Sequence, residues 1–235
     1  MKETMGRCLT ALTLAAMLGG CASMGNPKDP LEGFNRAVFA LNEDVDKAII
    51  RPAARGYEAV LPQPVRQGIA NVFANVGDVF VAVNSLLQGK VPEAINDLGR
   101  VMVNTTLGVL GWRDVASELG VDKHNEDFGQ TLGAWGVGEG PYLVLPFFGP
   151  RTLRDSAGLI LDLKVDPLGQ VTPIPERNTL IVTRVLSERQ QLFAADKIVE
   201  EAALDRYSYL RNAYLQRRRN QVFDGNAPRA RDEDQ

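Results

Sequence analysis

Residues 62–87 read PQPVRQGIANVFANVGDVFVAVNSLL, and this stretch indicates the fold class. Its apolar residues recur at helical spacing, so they share one face: Ile69, Val72, Phe73, Val76, Phe80, Val83 and Leu87. The opposite face is polar, at Asn71, Asn75 and Asp78, and Asp78 is the only charge after Arg66. A soluble helix normally has a well-charged outer face. Two interpretations stay open for this helix: packing in a soluble core, or contact with the acyl chains of a membrane leaflet.

A first helix is predicted to begin at the N-terminal end of the mature chain. Asp29 is its expected N-cap, Pro30 its first helical residue and Glu32 the acid that completes a capping box. Arg51-Pro52 is expected to end or bend it, because proline disfavours helical geometry in the residue before it. One apolar stripe runs along the helix, at Leu31, Phe34, Val38, Leu41 and Val45.

The middle of the chain alternates helix and loop signals. Gly89 marks a helix end and Pro92 the start of another helix, after which residues 113–131 are polar. The stretch Gly133–Gly149 contains five glycines and two prolines, so an extended and rigid loop is expected. Its apolar run Tyr142–Leu145 is also compatible with a buried strand.

Most of the C-terminal part is predicted to be helical. A short helix is expected over Thr152–Leu163, followed by a proline-rich connection. Residues 176–223 have a long, heavily charged helical pattern, with a break expected near Ala195-Asp196, where the apolar spacing slips. Residues 224–235 form a polar tail that is expected to be disordered. The predicted fold class is therefore all-α.

The N-terminus has the layout of an export signal. Residues 1–20 contain two basic residues, a short apolar stretch and then small residues. The sequence Leu18-Gly19-Gly20-Cys21 resembles a lipobox, which predicts removal of residues 1–20 and lipidation of Cys21. Cys8 leaves with the signal, so no internal disulfide is possible. An ordinary signal peptide with an incidental cysteine is the alternative. If Cys21 is lipidated as the lipobox predicts, residues 21–28 form a lipidated tether.

Composition excludes several classes of function. The chain has 26 Lys and Arg against 29 Asp and Glu, and nucleic-acid binding would call for a concentrated basic face. His124 is the only histidine, so no multi-histidine metal site can form. Gly136–Gly140 superficially resembles a phosphate loop, but no lysine follows and Pro141 prevents the supporting helix. No cofactor or metal is expected, and because no apolar run after the signal approaches eighteen residues, no membrane-spanning segment is expected.

A phospholipase is the enzyme alternative. It would need an activated nucleophile with a base, but there is no Gly-x-Ser-x-Gly motif. His124 lies in a polar stretch, and Ser117 is the only serine near it in the sequence. We therefore predict that the chain is not an enzyme.

A series of short motifs runs from residue 29 to residue 217. They read DPLEGFNR (29–36), RP (51–52), NTTLG (104–108), FGQTLG (128–133), GEGPY (138–142), LP (145–146), TLRD (152–155) and RNAY (211–214) with Arg217. Together, and in this order, they resemble the MlaA (VacJ) family of outer-membrane lipoproteins over roughly residues 29–223, which we take as one domain. The resemblance leaves open whether its motif residues are structural or line a channel: Asp29, Pro30, Phe34, Asn35, Arg36, Gly140, Pro141, Tyr142, Pro146, Arg154 and Asp155.

The resemblance implies a fold, a location and a function. The fold would be a ring of amphipathic helices, monotopic in the inner leaflet of the outer membrane, with a central channel and long charged C-terminal helices. Among lipoproteins of Gram-negative bacteria, an aspartate after the lipidated cysteine tends to retain the protein in the inner membrane. Ala22 occupies that position here, which also implies the outer membrane, facing the periplasm. The function would be removal of mislocalised glycerophospholipids from the outer leaflet and delivery to a soluble periplasmic lipid-binding protein, in association with a trimeric porin. A porin-binding scaffold lipoprotein that handles no lipid is the alternative.

Some details depart from the family or stay open. Segment 38–44 lacks the further aromatics that the family often has there, and carries the acidic pair Glu43-Asp44. Arg217–Arg219 would be a solvated helix end, or else contact a headgroup or partner. Trp112 and Tyr142 are equally compatible with a membrane interface and with a core.

Overall fold

The computed structural model describes residues 29–227. The predicted signal, Cys21 with its tether, and residues 228–235 of the predicted tail lie outside the described residues. The described chain is mostly helical, as predicted, with a single β-hairpin. Its elements are α1 (Glu32–Val45), a π-helical turn (Asp46–Ile50), α2 (Arg51–Val60), α3 (Gln63–Leu87), α4 (Val91–Thr106), α5 (Val115–Glu118), α6 (Phe128–Ala134), β1 (Tyr142–Leu145), β2 (Gly149–Thr152), α7 (Leu153–Val165), α8 (Pro167–Gln170), α9 (Ile174–Gln191), α10 (Phe193–Ala202) and α11 (Arg206–Val222).

The contacts between elements form a closed circuit. Helix α1 packs on β1, the hairpin on α7, α7 on α6, α6 on α3, α3 on α9 and α9 on α2, which leads back to α1 through the π-helical turn. Helix α11 contacts α6, β2 and α10. The described chain therefore has the connectivity of a ring.

The described residues bury polar groups and expose apolar ones. Eighteen polar or charged residues are buried, against ten hydrophobic residues, four of which are alanines. Large apolar side chains are exposed, for example Ile95 at 64%, Met102 at 69% and Leu110 at 72%. Water-soluble domains bury their large apolar residues and pair or expose their charges. Exposed apolar surface on this scale is typical of proteins that contact a membrane or a partner.

The long helix α3 follows this inverted arrangement. Asn75, Asp78 and Asn84 are buried, whereas Val83 and Leu87 are exposed. The other five residues of the predicted apolar face are half-buried, so the polar side of α3 is the more deeply buried one. Helix α3 has 25 residues and an 18-residue window with a mean hydropathy of 1.4, so it is long and apolar enough to cross a membrane by length and composition alone. The expectation that no segment has this length and composition therefore does not hold for α3.

The predicted capping of the first helix is wrong. Helix α1 begins at Glu32 with Leu31 in the cap position, and no side chain makes a capping hydrogen bond. Asp29 is fully buried, and its carboxylate instead accepts hydrogen bonds from Asn35, Tyr207 and Arg211. A buried carboxylate is stabilised more by a cation than by one backbone amide, so the distant partner in α11 determines where Asp29 points.

The chain does not leave the helical conformation at Arg51-Pro52. Arg51 has helical dihedral angles, with φ −62° and ψ −47°, and Pro52 lies in the first turn of α2. The five preceding residues form the π-helical turn. A π turn changes the register of the backbone hydrogen bonds, which accommodates a residue without an amide hydrogen.

The expected loop over residues 133–149 contains a strand. Tyr142–Leu145 pairs antiparallel with Gly149–Thr152, so the apolar run forms one half of a hairpin. Phe147 in the turn and Gly149 at the start of β2 adopt positive φ. Proline is compatible with this short sheet because Pro146 lies in the turn and Pro150 on an edge strand.

The C-terminal helices break at other places than expected. The expected break at Ala195-Asp196 lies inside α10; the real interruptions are at Leu192 and at residues 203–205. Arg218 is buried rather than solvated, and Asp224, in the predicted tail, contacts Lys90. The predicted helix over Thr152–Leu163 is confirmed by α7, which Thr152 caps by accepting a hydrogen bond from the Asp155 amide.

The contact between α6 and α7 requires glycine. A Cβ atom on Gly158 would lie 2.5 Å from the backbone nitrogen of Gly129. We expect Gly158→Ala to lower the free energy of unfolding by about 2–3 kcal/mol, because backbone cannot yield to it. Gly99→Ala is the matched control, since nothing lies within 4 Å of its Cβ position. That helical substitution should raise stability by about 0.5–1 kcal/mol. Thermal unfolding in detergent measures both, and equal stability of the two variants would contradict the packing.

Candidate functional site

A cavity of about 660 Å³ lies inside part of the ring. Its walls come from α3, the segment before α6, β2, α7, α8 and α9. Both apolar and charged side chains line the cavity. The residues that line it include Phe73, Val76, Gly77, Asp78, Phe80, Lys123, His124, Asp127, Arg151, Leu159, Asp162, Leu163, Asp166, Arg184 and Glu188.

One set of lining residues is apolar. Phe73, Val76 and Phe80 follow one another at helical spacing along α3. Leu159 and Leu163 project from α7 with the same period. These five side chains provide a surface against which hydrocarbon can lie without leaving an unpaired polar group.

Most of the charged lining residues are already paired. Lys123 Nζ donates to Asp78 at 2.6 Å. Arg184 donates to Asp166 at 2.7 Å and to Glu188 at 2.9 Å. Paired charges present a polar surface with little net field. A zwitterionic or hydrated group can lie against such a surface at a lower cost than hydrocarbon can.

Asp162 has no cation within ion-pair distance among residues 29–227. Its carboxylate accepts one hydrogen bond, from the backbone amide of Phe128 at 3.3 Å. Burial, followed by the negative charge of Asp127, raises the pKa of Asp162 from 3.8 to about 6. Arg151 and Arg218 oppose the shift only in part. The carboxylate of Asp162 therefore holds a proton to a higher pH than an exposed aspartate does.

Behind the cavity, an ion-pair cluster centred on Asp155 fastens the last helix. Arg218 Nε and Tyr214 Oη donate to Asp155 at 2.9 Å and 2.7 Å, and Arg154 adds a bond at 3.0 Å. Arg218 also donates to Asp127 at 2.6 Å. Burial disfavours the charge of Asp155, but Arg218 and Tyr214 hold its pKa below the ordinary value.

A second cluster, centred on Asp29, fastens the start of the domain to the same helix. Arg211 donates to Asp29 at 3.0 Å, and Asn35 donates to it at 2.9 Å. Arg36 pairs with Asp205 at 2.6 Å and lies over the ring of Tyr207. The Asp29 cluster therefore ties the start of the domain to α11, and the Asp155 cluster ties the middle of the chain to the same helix.

Two asparagines of α1 pair with the free edge of β1. Asn35 Oδ1 accepts from the Val144 amide at 2.8 Å, and its Nδ2 donates to the Tyr142 carbonyl at 3.0 Å. Seven residues later, Asn42 donates to the Leu145 carbonyl at 3.0 Å and accepts from the Phe147 amide at 2.9 Å. Side-chain amides thus do what a neighbouring strand would do for an exposed edge.

Comparison with known proteins agrees with this architecture. The family profile described as MlaA lipoprotein matches residues 27–221. The chain belongs to the MlaA lipoprotein family.

Several MlaA relatives align over most of their length. The intermembrane phospholipid transport system lipoproteins MlaA of Shigella flexneri and of Escherichia coli K12 are each 38% identical over 218 residues, covering 89% of this chain and 86% of theirs. The protein of the same name from Haemophilus influenzae is 32% identical over 228 residues. A solved chain, from work on the structural basis for maintenance of bacterial outer membrane lipid asymmetry, superposes with a TM-score of 0.70 and 35% identity. The superposition covers 84% of this chain and 99% of the solved chain.

The MlaA motif residues lie around the cavity rather than on its surface. Asp29, Asn35, Arg36, Arg154 and Asp155 belong to the two clusters and the β1 edge, and none of them lines the cavity. The other motif residues are likewise outside its lining. Pro30 lies in the turn before α1, and Phe34 packs against the small core that contains Tyr142, which is 2% exposed. Gly140 has φ +67°, and the Pro141 carbonyl accepts a hydrogen bond from the Leu153 amide. Pro146 lies in the hairpin turn.

The sequence pointed to the lining residues of α3, namely Phe73, Val76, Asp78 and Phe80, but not to the charged lining residues of other elements. Arg151 and Asp162 belong to no family motif, and Lys123 lies in a stretch that reads only as polar. A strand assignment at residues 149–152 would have placed Arg151 opposite Thr152 across the sheet. Without that strand, the sequence contains no signal that brings Arg151 and Asp162 into one cavity.

The histidine and serine of the enzyme alternative make separate contacts. His124 Nδ1 lies 2.9 Å from Asp97 Oδ1. Ser117 Oγ donates to Asp114 at 2.6 Å, and Ser85 donates to Asp97 rather than to the histidine. Within residues 29–227, no hydrogen bond joins His124 to a serine. A nucleophile needs that contact to be activated by a histidine base.

Asp162 makes the stability of the domain depend on pH. Because its folded pKa is raised, the unfolded chain binds fewer protons between about pH 4 and pH 6, so this contribution falls as the pH rises through that window. We expect Asp162→Asn to be more stable than the wild-type protein at pH 8 by about 1 kcal/mol, allowing for screening by water in the cavity. Below pH 5 the difference should shrink. Thermal melts at the two pH values measure it, and a difference independent of pH would contradict the assignment.

Proposed function

We propose that this chain is an outer-membrane lipoprotein that removes mislocalised glycerophospholipids from the outer leaflet and passes them to a soluble periplasmic lipid-binding protein. The observation that carries the proposal is the cavity, which has apolar and charged walls inside a ring whose outer side chains are apolar. The MlaA relatives, named as lipoproteins of an intermembrane phospholipid transport system, support the same function.

The physical problem is the headgroup. Moving a charged group through hydrocarbon without compensation costs many kcal/mol. The paired charges around Asp78 and Arg184 offer the headgroup a polar path, while Phe73, Phe80 and Leu159 accompany the acyl chains. No covalent step or nucleotide is needed for this, because the protein only lowers a barrier to movement.

The ring would lie edge-on in the inner leaflet of the outer membrane, facing the periplasm. Exposed apolar residues of α3 and α4, such as Val83 and Ile95, would rest among acyl chains. A monotopic position suits α3, since its polar residues bind other elements of the ring. Acyl chains on Cys21 would provide the attachment.

A trimeric porin is the partner proposed within the membrane, and a soluble lipid carrier the partner in the periplasm. A scaffold lipoprotein that binds the porin and handles no lipid is the second candidate. Quantifying phospholipid that co-purifies after mild detergent extraction separates the two functions, because a scaffold has no reason to carry lipid in stoichiometric amount.

A plug in the cavity tests the transport function. Gly77 lies at the centre of the α3 wall, and nothing lies within 4 Å of its Cβ position. We expect Gly77→Phe to fold normally and to abolish clearance of outer-leaflet phospholipid in cells that lack the wild-type copy. Labelling of surface aminophospholipid with a membrane-impermeant reagent measures this. Gly99→Phe has the same open surroundings outside the cavity and should behave like wild type.

The outcomes discriminate clearly. Accumulation of surface phospholipid with Gly77→Phe alone, at equal protein abundance, supports passage through the cavity. Full clearance by Gly77→Phe would place the lipid path elsewhere and contradict the proposal.

The anchor is tested separately. We expect Cys21→Ala to lack acyl chains, as read from the mass of the N-terminal peptide, and to fail to complement a deletion. Mutating Ser23 to Ala, two residues further on, is the matched control and should be lipidated. If the unlipidated protein complements fully, attachment through Cys21 is dispensable and the membrane-embedded arrangement is wrong.

A further inference from the structure

Arg151 is the lining residue whose surroundings are least explained by the fold. It lies on β2, where its backbone pairs with Leu143. Its neighbour Thr152 is fully buried and caps α7. Side chains alternate across a strand, so Arg151 projects to the other side, and it lines the cavity.

The guanidinium of Arg151 has no protein partner among residues 29–227. Its Nε is buried without a hydrogen bond, and no ion pair or side-chain hydrogen bond involves the residue. The other cations that line the cavity, Lys123 and Arg184, are both paired with carboxylates. Buried polar groups are nearly always satisfied in native proteins, and an unpaired buried charge is costly.

The charged groups near Arg151 do not provide its guanidinium with an ion pair or a hydrogen bond. Arg151 lies close enough to Asp162 to lower its pKa, yet burial and Asp127 outweigh that influence. Asp162 makes its one hydrogen bond with the Phe128 amide instead. A cation held partly buried beside a cavity, with donors that remain unused, is matched by an anion that enters the cavity.

We propose that Arg151 binds the phosphodiester of a phospholipid headgroup inside the cavity. This inference rests on the proposed function and deepens it by assigning the atoms that hold the headgroup. A guanidinium offers a planar fork of donors that matches two phosphate oxygens, which a lysine ammonium does not. The acyl chains of the same lipid would lie toward Phe80 and Leu159 on the apolar walls.

The phosphate has two conceivable sources, a lipid or free phosphate. The lipid is favoured because apolar side chains adjoin the guanidinium in one cavity, whereas a site for inorganic phosphate has no use for them. The experiment below separates the two sources.

The test uses full-length lipidated protein in detergent, with two probes that share the same acyl chains, phosphatidylglycerol and diacylglycerol. We expect wild-type protein to prefer phosphatidylglycerol. Arg151→Gln should weaken phosphatidylglycerol binding at least tenfold and leave diacylglycerol binding unchanged, which also reports that the variant is folded. Arg151→Lys should retain part of the preference. Arg113→Gln, which breaks an exposed ion pair with Glu118, is the control and should match wild type.

Each result decides something. Retention of the phosphatidylglycerol preference by Arg151→Gln overturns the assignment, and so does a wild-type protein that binds both lipids equally, although that leaves the proposed transport intact. Failure of wild type to bind either lipid overturns the proposed function as well. Saturable binding of inorganic phosphate that depends on Arg151, without a preference for phosphatidylglycerol over diacylglycerol, would show a site for free phosphate and contradict the lipid.

Discussion

The pairing of Arg218 with Asp155 and Asp127 is the interaction on which the rest of the architecture depends. It connects α11 with α6 and α7, so the last helix closes against the middle of the chain. The domain needs such a connection because its large apolar side chains point outward and only a few aromatic and aliphatic residues are buried. Where a soluble domain is held by apolar burial, this one is held by buried charge and amide contacts.

Buried ion pairs contribute more to stability when acyl chains surround a domain than when water does. In water, a buried ion pair returns little net stability, because desolvation of both charges offsets their attraction. Where acyl chains cover the outside, competing water is scarce, and the same contact is electrostatically stronger. The Asp29 cluster follows the same logic, since Arg211 and Asn35 saturate a carboxylate that is fully buried. At the Asp155 cluster, the close glycine contact between α6 and α7 leaves room for Arg218 beside Asp127 and Asp155.

Sequence reasoning succeeded where a local pattern carried the information. The helical period of α3 and the short helix over residues 152–163 depend on neighbours within a few residues, and both predicted helices are confirmed. It failed where a distant residue decided. Asp29 looks like an N-cap until Arg211 is placed beside it, and Tyr142–Leu145 looks like a loop until its partner strand and two asparagines satisfy its backbone. Motif residues could be identified from the sequence, but their role as a frame around the cavity could not.

The distribution of unpaired charge separates the frame from the site. In the two clusters every carboxylate has a cation or a hydroxyl donor, so these groups are fixed and have no spare capacity for a ligand. In the cavity, Arg151 has unused donors, and Asp162 has a pKa raised to about 6. A purely structural role does not explain why these two neighbouring charged groups lack ion-pair partners in the protein. A transported anion gives one, because a site that must release its ligand cannot already be saturated by the protein.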